Sequence, residues 1–205
     1  RTFISAWYLR NSIACADYDA RAYDSKIPLQ RYWHRQRYTA IRDMIEKQGT
    51  VLDVGAGSSR IITLLPDGSV VFDIQTNKLR FARRYGKTLV QGSAFNLPFP
   101  DESYPCVVCS QVIEHLPSDP EIFDELDRVL CPGGLMVIGT PDYGGRVWPV
   151  VEKLYALFSP WGYADEHITH YSREFLSSRL TRMGYRIEGV RYVFRAELIM
   201  AFRKS

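Results

Sequence analysis

Residues 50 to 60, TVLDVGAGSSR, constrain the fold more than any other stretch of the chain. A short apolar strand (Val51, Leu52, Val54) runs into Gly55 and Gly57, and then into Ser58 and Ser59 at the start of a segment with helical apolar spacing (Ile61, Ile62, Leu64, Leu65). Glycines at such a corner permit backbone angles closed to other residues and leave no Cβ to block a ligand. A strand that feeds a helix N-terminus in this way exposes backbone N–H groups at the carboxyl edge of a parallel sheet. An ordinary strand–turn–helix corner has the same Gly-x-Gly form, so the rest of the chain must decide.

The order of elements supports a parallel sheet. A helix is predicted from Tyr32 to Gln48, with Trp33, Tyr38, Ile41, Met44 and Ile45 on one face, Gly49 as its stop and Pro28 interrupting the chain before it. Arg31, Arg35, Arg37 and Arg42 on its other face read as solvated charge, with contact to an anionic substrate as the alternative. Residues 1 to 30 carry only a fragmentary stripe (Phe3, Ile4, Trp7, Tyr8, Ile13).

Beyond the opening loop, SVVFDI (69–74) is a second strand, and Thr76 caps a helix that runs to Gly86. TLVQG is a third strand and PCVVCSQV a fourth. Ser118 and Glu121 have capping-box spacing, with Pro120 in the first turn of a helix bearing Ile122, Phe123, Leu126, Val129 and Leu130. Leu135 to Gly139 is a fifth strand. After an aromatic insertion at 143–163, a helix spans Ser172 to Met183, and YRIEGVRYVF and AELIMAFRK form a closing pair of strands. Uniformly apolar strands alternating with helices imply a sheet covered on both faces. The expected fold is α/β: a doubly wound, mostly parallel seven-stranded sheet with helices on both faces and a C-terminal antiparallel edge hairpin. The 205 residues are read as one domain, in which residues 1–48 form a helical segment on the substrate side or over it and 49–205 the ligand-binding body.

Several function classes are disfavoured. A net charge of +3 and a pI near 8.7 fall well short of a nucleic-acid-binding surface. No run reaches the length of a membrane span and no secretory leader is evident, so a cytoplasmic protein is expected, compatible with peripheral membrane contact. Cys15, Cys106, Cys109 and Cys131 are expected as reduced thiols. Cys106 and Cys109 share a C-x-x-C spacing but lie in an apolar strand without a second ligand pair, and no metal site is expected. The pattern specifies no oligomeric state.

Asp73 ends the second strand twenty positions after Asp53, a spacing that suits a carboxylate accepting from both hydroxyls of a ribose. NAD and S-adenosylmethionine both satisfy it. NAD binding calls for G-x-G-x-x-G, and Arg60 stands where the third glycine belongs.

At this point the chain resembles the class I S-adenosylmethionine-dependent methyltransferases, specifically the small-molecule group called methyltransferase type 11. The resemblance rests on VLDVGAGSSR (51–60), Asp73, QGSAFNLPFPDESYPCVVCSQVIEHL (91–116) and RVLCPGGLMVIGTP (128–141). It implies S-adenosyl-L-methionine as cofactor, with Asp53, Gly55 and Gly57 holding its methionine part and Asp73 its ribose. Gly92, Ser93 and Ala94 would reach the adenine, and Ser110 and Gln111 would lie beside the methionyl amino group and the methyl. Ser59 replaces a frequent third glycine. Ser93 stands where an acidic residue usually accepts from the adenine amino group, which implies weaker cofactor binding.

Methyl transfer from a sulfonium needs nucleophile and methyl held in line, and a base where the nucleophile is a hydroxyl. His115, after the fourth strand, and His167 and His170, in DEHITHYS, are the candidate bases, with Glu114 and Tyr171 behind them; a metal pair or plain polar loop residues are the alternatives for His167 and His170. The aromatic insertion (Tyr143, Trp148, Tyr155, Phe158, Trp161, Tyr163) is read as a lid or wall over an apolar, lipid-like or quinone-like acceptor methylated at oxygen; extra core packing or a dimer surface is the alternative. The competing functions are an NAD-linked oxidoreductase and a non-catalytic member that binds cofactor or a partner. A nucleic-acid methyltransferase is disfavoured, because Ser110 and Gln111 occupy the place of an N-P-P-Y-like tetrapeptide.

Overall fold

The first strand, β1 (Val51–Val54), is buried at every position because it has neighbours on both edges and cover on both faces. A computed structural model describes residues 15–118, 121–158 and 167–205. The N-terminal stripe of Phe3 to Ile13, Pro120, and Trp161 and Tyr163 of the insertion lie outside the described residues. In chain order the remaining elements are α1 (Tyr18–Tyr23), α2 (Pro28–Ile45), β2 (Val70–Asp73), α3 (Thr76–Ala82), β3 (Thr88–Gln91), β4 (Tyr104–Ser110), α4 (Glu121–Val129), β5 (Leu130–Pro141), α5 (Val147–Phe158), α6 (Arg173–Arg182), β6 (Tyr185–Val193) and β7 (Glu197–Lys204).

The sheet order is β3-β2-β1-β4-β5-β7-β6, parallel from β3 through β5, with β7 antiparallel to both β5 and β6. The expected seven-stranded doubly wound architecture is therefore the observed one. Strand order reverses between β1 and β4, and Val54 pairs with Phe72 on one side and Cys109 on the other. Such a switch point opens a crevice beyond the carboxyl ends of the strands, where open α/β sheets bind their ligands.

Two apolar layers sandwich the sheet. Leu52, Val54, Phe72, Val107 and Cys109 face α4 and α6 through Ile122, Leu126, Leu176 and Leu180. Val51, Val71, Cys106 and Val108 face α2 and α3 through Ile41, Ile45, Leu79 and Ala82. Cys106 and Cys109 thus point to opposite sides of the sheet, which rules them out as a joint metal clamp, and all four thiols are free.

Local structure departs from the sequence expectation at instructive points. Pro28 opens α2 instead of interrupting it, since a proline in the first turn lacks only an N–H that has no helical partner. The segment after the glycine loop is a short 3-10 turn (Arg60–Leu64), with Ser59 Oγ accepting from the Ile61 N–H. The helix at Thr76 starts from Gln75, and the Thr76 side chain does not cap it. By contrast, α6 lies within the expected span of Ser172 to Met183, and Ser172 caps it by accepting from the Phe175 N–H at 3.1 Å.

The hairpin between β6 and β7 turns through Phe194 and Arg195, both at positive φ (52° and 56°), a conformation that costs side-chain-bearing residues about 1–2 kcal/mol each. Aromatic packing offsets this cost: the Phe194 ring lies 5.1 Å from Trp33 and 5.3 Å from Tyr32 of α2. Among the described residues, no helix is long and apolar enough to cross a membrane.

Arg37, read from sequence as solvated, is instead committed to Glu197. Its Nη2 donates to Glu197 Oε2 at 2.7 Å, and Trp33 Nε1 donates to the same oxygen at 2.6 Å. Glu197 is 1% exposed, so removing only its partner leaves an uncompensated buried charge, a loss of about 3–5 kcal/mol. Arg37→Met should destabilise the fold by about 3 kcal/mol in urea denaturation, and adding Glu197→Gln, which keeps an acceptor for Trp33, should recover at least half. A double variant as unstable as the single would show that the loss lies in packing and not in charge.

Candidate active site

The loop after β1 owes its shape to its glycines. Gly55 (φ +69°) and Gly57 (φ +58°) both sit in the left-handed region, and a Cβ on Gly55 would lie 2.3 Å from Val112 Cγ2. The Gly55 and Ala56 N–H groups donate to Phe72 O at 2.8 and 3.2 Å, which braces the loop against β2. Asp73 completes the brace: Oδ2 accepts from the Gly57 N–H at 2.8 Å and Oδ1 from the Gln75 N–H at 2.7 Å. Each carboxylate oxygen keeps a second lone pair for a ligand hydroxyl.

From the other side, α1 docks on the same loop. Asp19 N–H donates to Ser58 Oγ at 3.0 Å, while Ser58 N–H and Oγ both give hydrogen bonds to Asp19 Oδ2, at 3.1 and 3.0 Å. Burial alone would raise the Asp19 carboxyl, but Lys78, 3.6 Å away, and the Ser58 bonds hold it below the usual range. Asp19, Ser58 and Lys78 escaped sequence reasoning, because nothing local links positions 39 residues apart.

Asp53 is buried near the end of β1, and its Oδ2 has no hydrogen-bond partner. Burial, and then the neighbouring Asp73 charge, push its carboxyl up to about 7. Ser110 Oγ and Gln111 Nε2, at the end of β4, are also buried and unpartnered. Gln111 has φ 60° and is pinned by its N–H to Gly139 O at 2.8 Å. Three orphaned polar groups around a cradle that side chains would fill are what a polar cofactor bound along this edge requires. Ser93 and Ala94 are half-buried in the loop after β3, where the Ser93 hydroxyl accepts from the Phe95 N–H at 3.3 Å. Arg128 fixes that loop, donating to Leu97 O at 2.9 Å and Phe99 O at 2.8 Å, another role without a local sequence signal. Arg60, which in an NAD site would aid a phosphate, is paired with Asp24 instead.

The three candidate histidines meet in one place. His115 lies on a 3-10 turn (Ile113–His115) after β4, and its ring centroid is 4.9 Å from that of His167. The segment bearing His167 and His170 is tied to this turn by Thr169 N–H to Glu114 O (3.1 Å) and Thr169 Oγ1 to Leu116 O (2.6 Å). His170 stacks on the Tyr143 ring at 3.9 Å.

Tyr143 Oη donates its one proton to Glu152 Oε1 at 2.6 Å, and therefore accepts from His167 Nδ1 at 2.9 Å. His167 thus carries its hydrogen on Nδ1 and keeps the lone pair on Nε2. Burial, and then His115, lower its pKa to about 4, so the ring is neutral at pH 7. Glu114 is 0% exposed, with neither carboxylate oxygen in a well-formed hydrogen bond; burial pushes its carboxyl up to about 8, and the charge of Glu197 adds to this. Tyr171 is buried edge-on against Phe123 and serves the core.

Known proteins share sequence and fold with this chain. A family described as "Methyltransferase domain" matches residues 52–138. A ubiquinone/menaquinone biosynthesis C-methyltransferase from Hahella chejuensis is 29% identical over 160 residues, covering 70% of this chain and 62% of that protein. A demethylmenaquinone methyltransferase from Listeria welshimeri is 30% identical over 137 residues, covering 60% and 57%. The chain thus spans about three fifths of the length of these curated relatives. An S-adenosylmethionine-dependent methyltransferase structure from Mesorhizobium loti superposes with a TM-score of 0.62 at 20% identity, covering 81% of this chain and 96% of that one.

The elevated Asp53 carboxyl has a consequence for stability. An acid raised in the folded state contributes stability that is complete below its unfolded pKa, near 3.8, and lost as pH rises through about 7. Asp53→Asn should therefore match the parent near pH 4 and exceed it at pH 8 by on the order of 2 kcal/mol in urea denaturation without ligand, while binding a cationic ligand less well. Equal stability of the two proteins at pH 8 would show that the carboxylate is not strained by its burial.

Proposed function

Because the chain belongs to the class I S-adenosylmethionine-dependent methyltransferases, we propose that it methylates an apolar, hydroxyl-bearing small molecule, with transfer to oxygen. The observation that carries this reading is the convergence of His115, His167 and His170 after the ends of β4 and β5, on the sheet edge that also carries the orphaned groups of Asp53, Ser110 and Gln111. On the cofactor side, Asp53, Gly55 and Gly57 would hold the methionine part and Asp73 the ribose hydroxyls, with α1 as a cap on the loop. Ser93 and Ala94 would flank the adenine, and Ser110 and Gln111 the methionyl end. When bound, S-adenosylmethionine supplies an electrophilic methyl group on a sulfonium. The imidazole cluster holds the acceptor hydroxyl and receives its proton, while the buried walls exclude water.

An aromatic path supports an acceptor with an apolar tail. Trp148 of α5 lies 5.7 Å from His167 and 6.4 Å from Trp33, which in turn packs on Phe194. Phe194 leads to a surface groove lined by Pro28, Leu29 and Tyr32, with Arg31 and Arg35 also lining it. Leu29 and Tyr32 are more than half exposed. A tail along this path would place a polar head at the histidines and its far end at the surface, consistent with peripheral membrane contact. In this reading α5 is a wall of the acceptor site.

A second reading comes from the relatives' names, which specify C-methylation and demethylmenaquinone. Loss of a proton from a phenolic hydroxyl also raises electron density on the ring carbons, so the same residues would serve transfer to carbon. Product structure by NMR after transfer of a 13C-methyl to simple catechols and prenylated quinols separates the two.

In isothermal titration, S-adenosylmethionine and S-adenosylhomocysteine should bind and NAD should not. Asp73→Ala should weaken both sulfur ligands at least a hundredfold, because it removes the ribose acceptor and the loop brace together; unchanged binding would refute the ribose assignment. Leu29→Ser should raise KM severalfold for long-tailed acceptors and leave short ones and cofactor binding unaltered. A uniform effect on all acceptors would argue against the tail path.

A further inference from the structure

We propose that Glu114, His115 and His167 form a binding site for one divalent transition-metal ion at the acceptor end of the pocket. The donor atoms of these three residues all lie within 4.8 Å of one another. A carboxylate and two imidazoles around Zn2+, Mn2+ or Fe2+ sit at about 2.0–2.2 Å from the ion, so small rotamer changes close the set around a metal. Three protein ligands leave coordination positions open for an acceptor oxygen.

Two features beyond the cluster itself point to a cation. Glu114 is fully buried and neither carboxylate oxygen makes a well-formed hydrogen bond, with its own backbone and the Thr140 hydroxyl bearing on it, an arrangement costly for a carboxylate unless a positive charge meets it. Arg37 bears on it, but that guanidinium is engaged by Glu197, whose own negative charge also reaches Glu114. In addition, the Glu152–Tyr143–His167 chain, at 2.6 and 2.9 Å, fixes the imidazole as a metal site needs it: hydrogen on Nδ1, bound by an outer partner, and a lone pair on Nε2. Glu114 and His115 are neighbours on the turn after β4, while His167 arrives from a segment held there by the Thr169 hydrogen bonds. The ion's place in catalysis rests on the acceptor reading above; the site itself does not. With the metal bound, His115 and His167 act as ligands, and His170, stacked on Tyr143, is the imidazole that takes the hydroxyl proton.

The test uses the full chain, stripped with chelator and then titrated with Co2+ followed by visible absorption, with Zn2+ and Mn2+ content measured by elemental analysis after equilibrium dialysis. One equivalent of metal is expected in the parent. Glu114→Gln and His115→Ala should each weaken Co2+ binding at least tenfold, Tyr143→Phe should weaken it about tenfold through loss of the outer hydrogen bond, and His170→Ala should leave it unchanged. S-adenosylmethionine binding by Glu114→Gln, measured calorimetrically, confirms that this variant is folded. No stoichiometric metal in the parent, or equal binding by the parent and both ligand variants, overturns the site. Stoichiometric metal with methyl transfer indifferent to chelation confirms the site and refutes its place in the reaction; cofactor binding without transfer to any hydroxyl acceptor refutes the acceptor reading alone.

Discussion

A strand with neighbours on both edges and helices against both faces strongly disfavours an unpaired polar group except toward its open carboxyl end, and this constraint organises the molecule. β1 and its partners therefore read as apolar, and polarity is displaced to one end. Of the buried polar residues described, Asp53, Ser58, Asp73, Lys78, Glu114, Thr140, Asp142, His167, Thr169 and Glu197 all lie at or beyond the carboxyl edge of the parallel strands, and only Ser69 lies at the other. Glu197 begins β7 but belongs to this edge, because β7 runs antiparallel and pairs Glu197 with Pro141. The crevice at the switch point is thus where the fold can place polar chemistry without breaking its core.

Within that edge, charge is distributed unevenly. Arg37 satisfies Glu197, and Lys78 with Ser58 satisfies Asp19, so these carboxylates hold α1 and α2 onto the sheet. Asp53 and Glu114 have no such cation bound to them and are shifted toward the protonated form by their burial. In the proposed function Asp53 marks where the cationic cofactor brings positive charge, and in the proposed metal site Glu114 marks where a metal ion brings it. Stability is given up at both positions, as is usual where a site must be ready for a charged ligand.

The aromatic residues link this polar edge to the surface. Trp33, Trp148, Tyr143 and Phe194 come from α2, from α5 and the loop before it, and from the hairpin turn, yet they form one connected run beside His167. The strained turn at Phe194 and Arg195 is tolerated because it seats a ring against Trp33, so the geometry of the edge hairpin and the wall of the proposed acceptor path depend on each other.

Much of the framework was legible locally. Strand periodicity, the positions of Gly55 and Gly57, the Asp53 to Asp73 spacing and the capped α6 depend on backbone conformation and near neighbours, and the structure retains them. His115 and His167 were each singled out from sequence as candidate bases, but their contact appears only in the folded chain. Other features depend on contacts between distant segments: Asp19 on Ser58, 39 positions away, and Arg37 on the buried Glu197, 160 positions away. Hydropathy patterns report only which face is buried; they do not say which charges meet or which remain unpaired. The sequence by itself determined a doubly wound sheet with a ligand loop at its first corner. Only the tertiary structure decided that Glu114 would be enclosed beside His115 and His167 without a well-formed hydrogen bond, because enclosure is a property of elements packed together and not of any one segment.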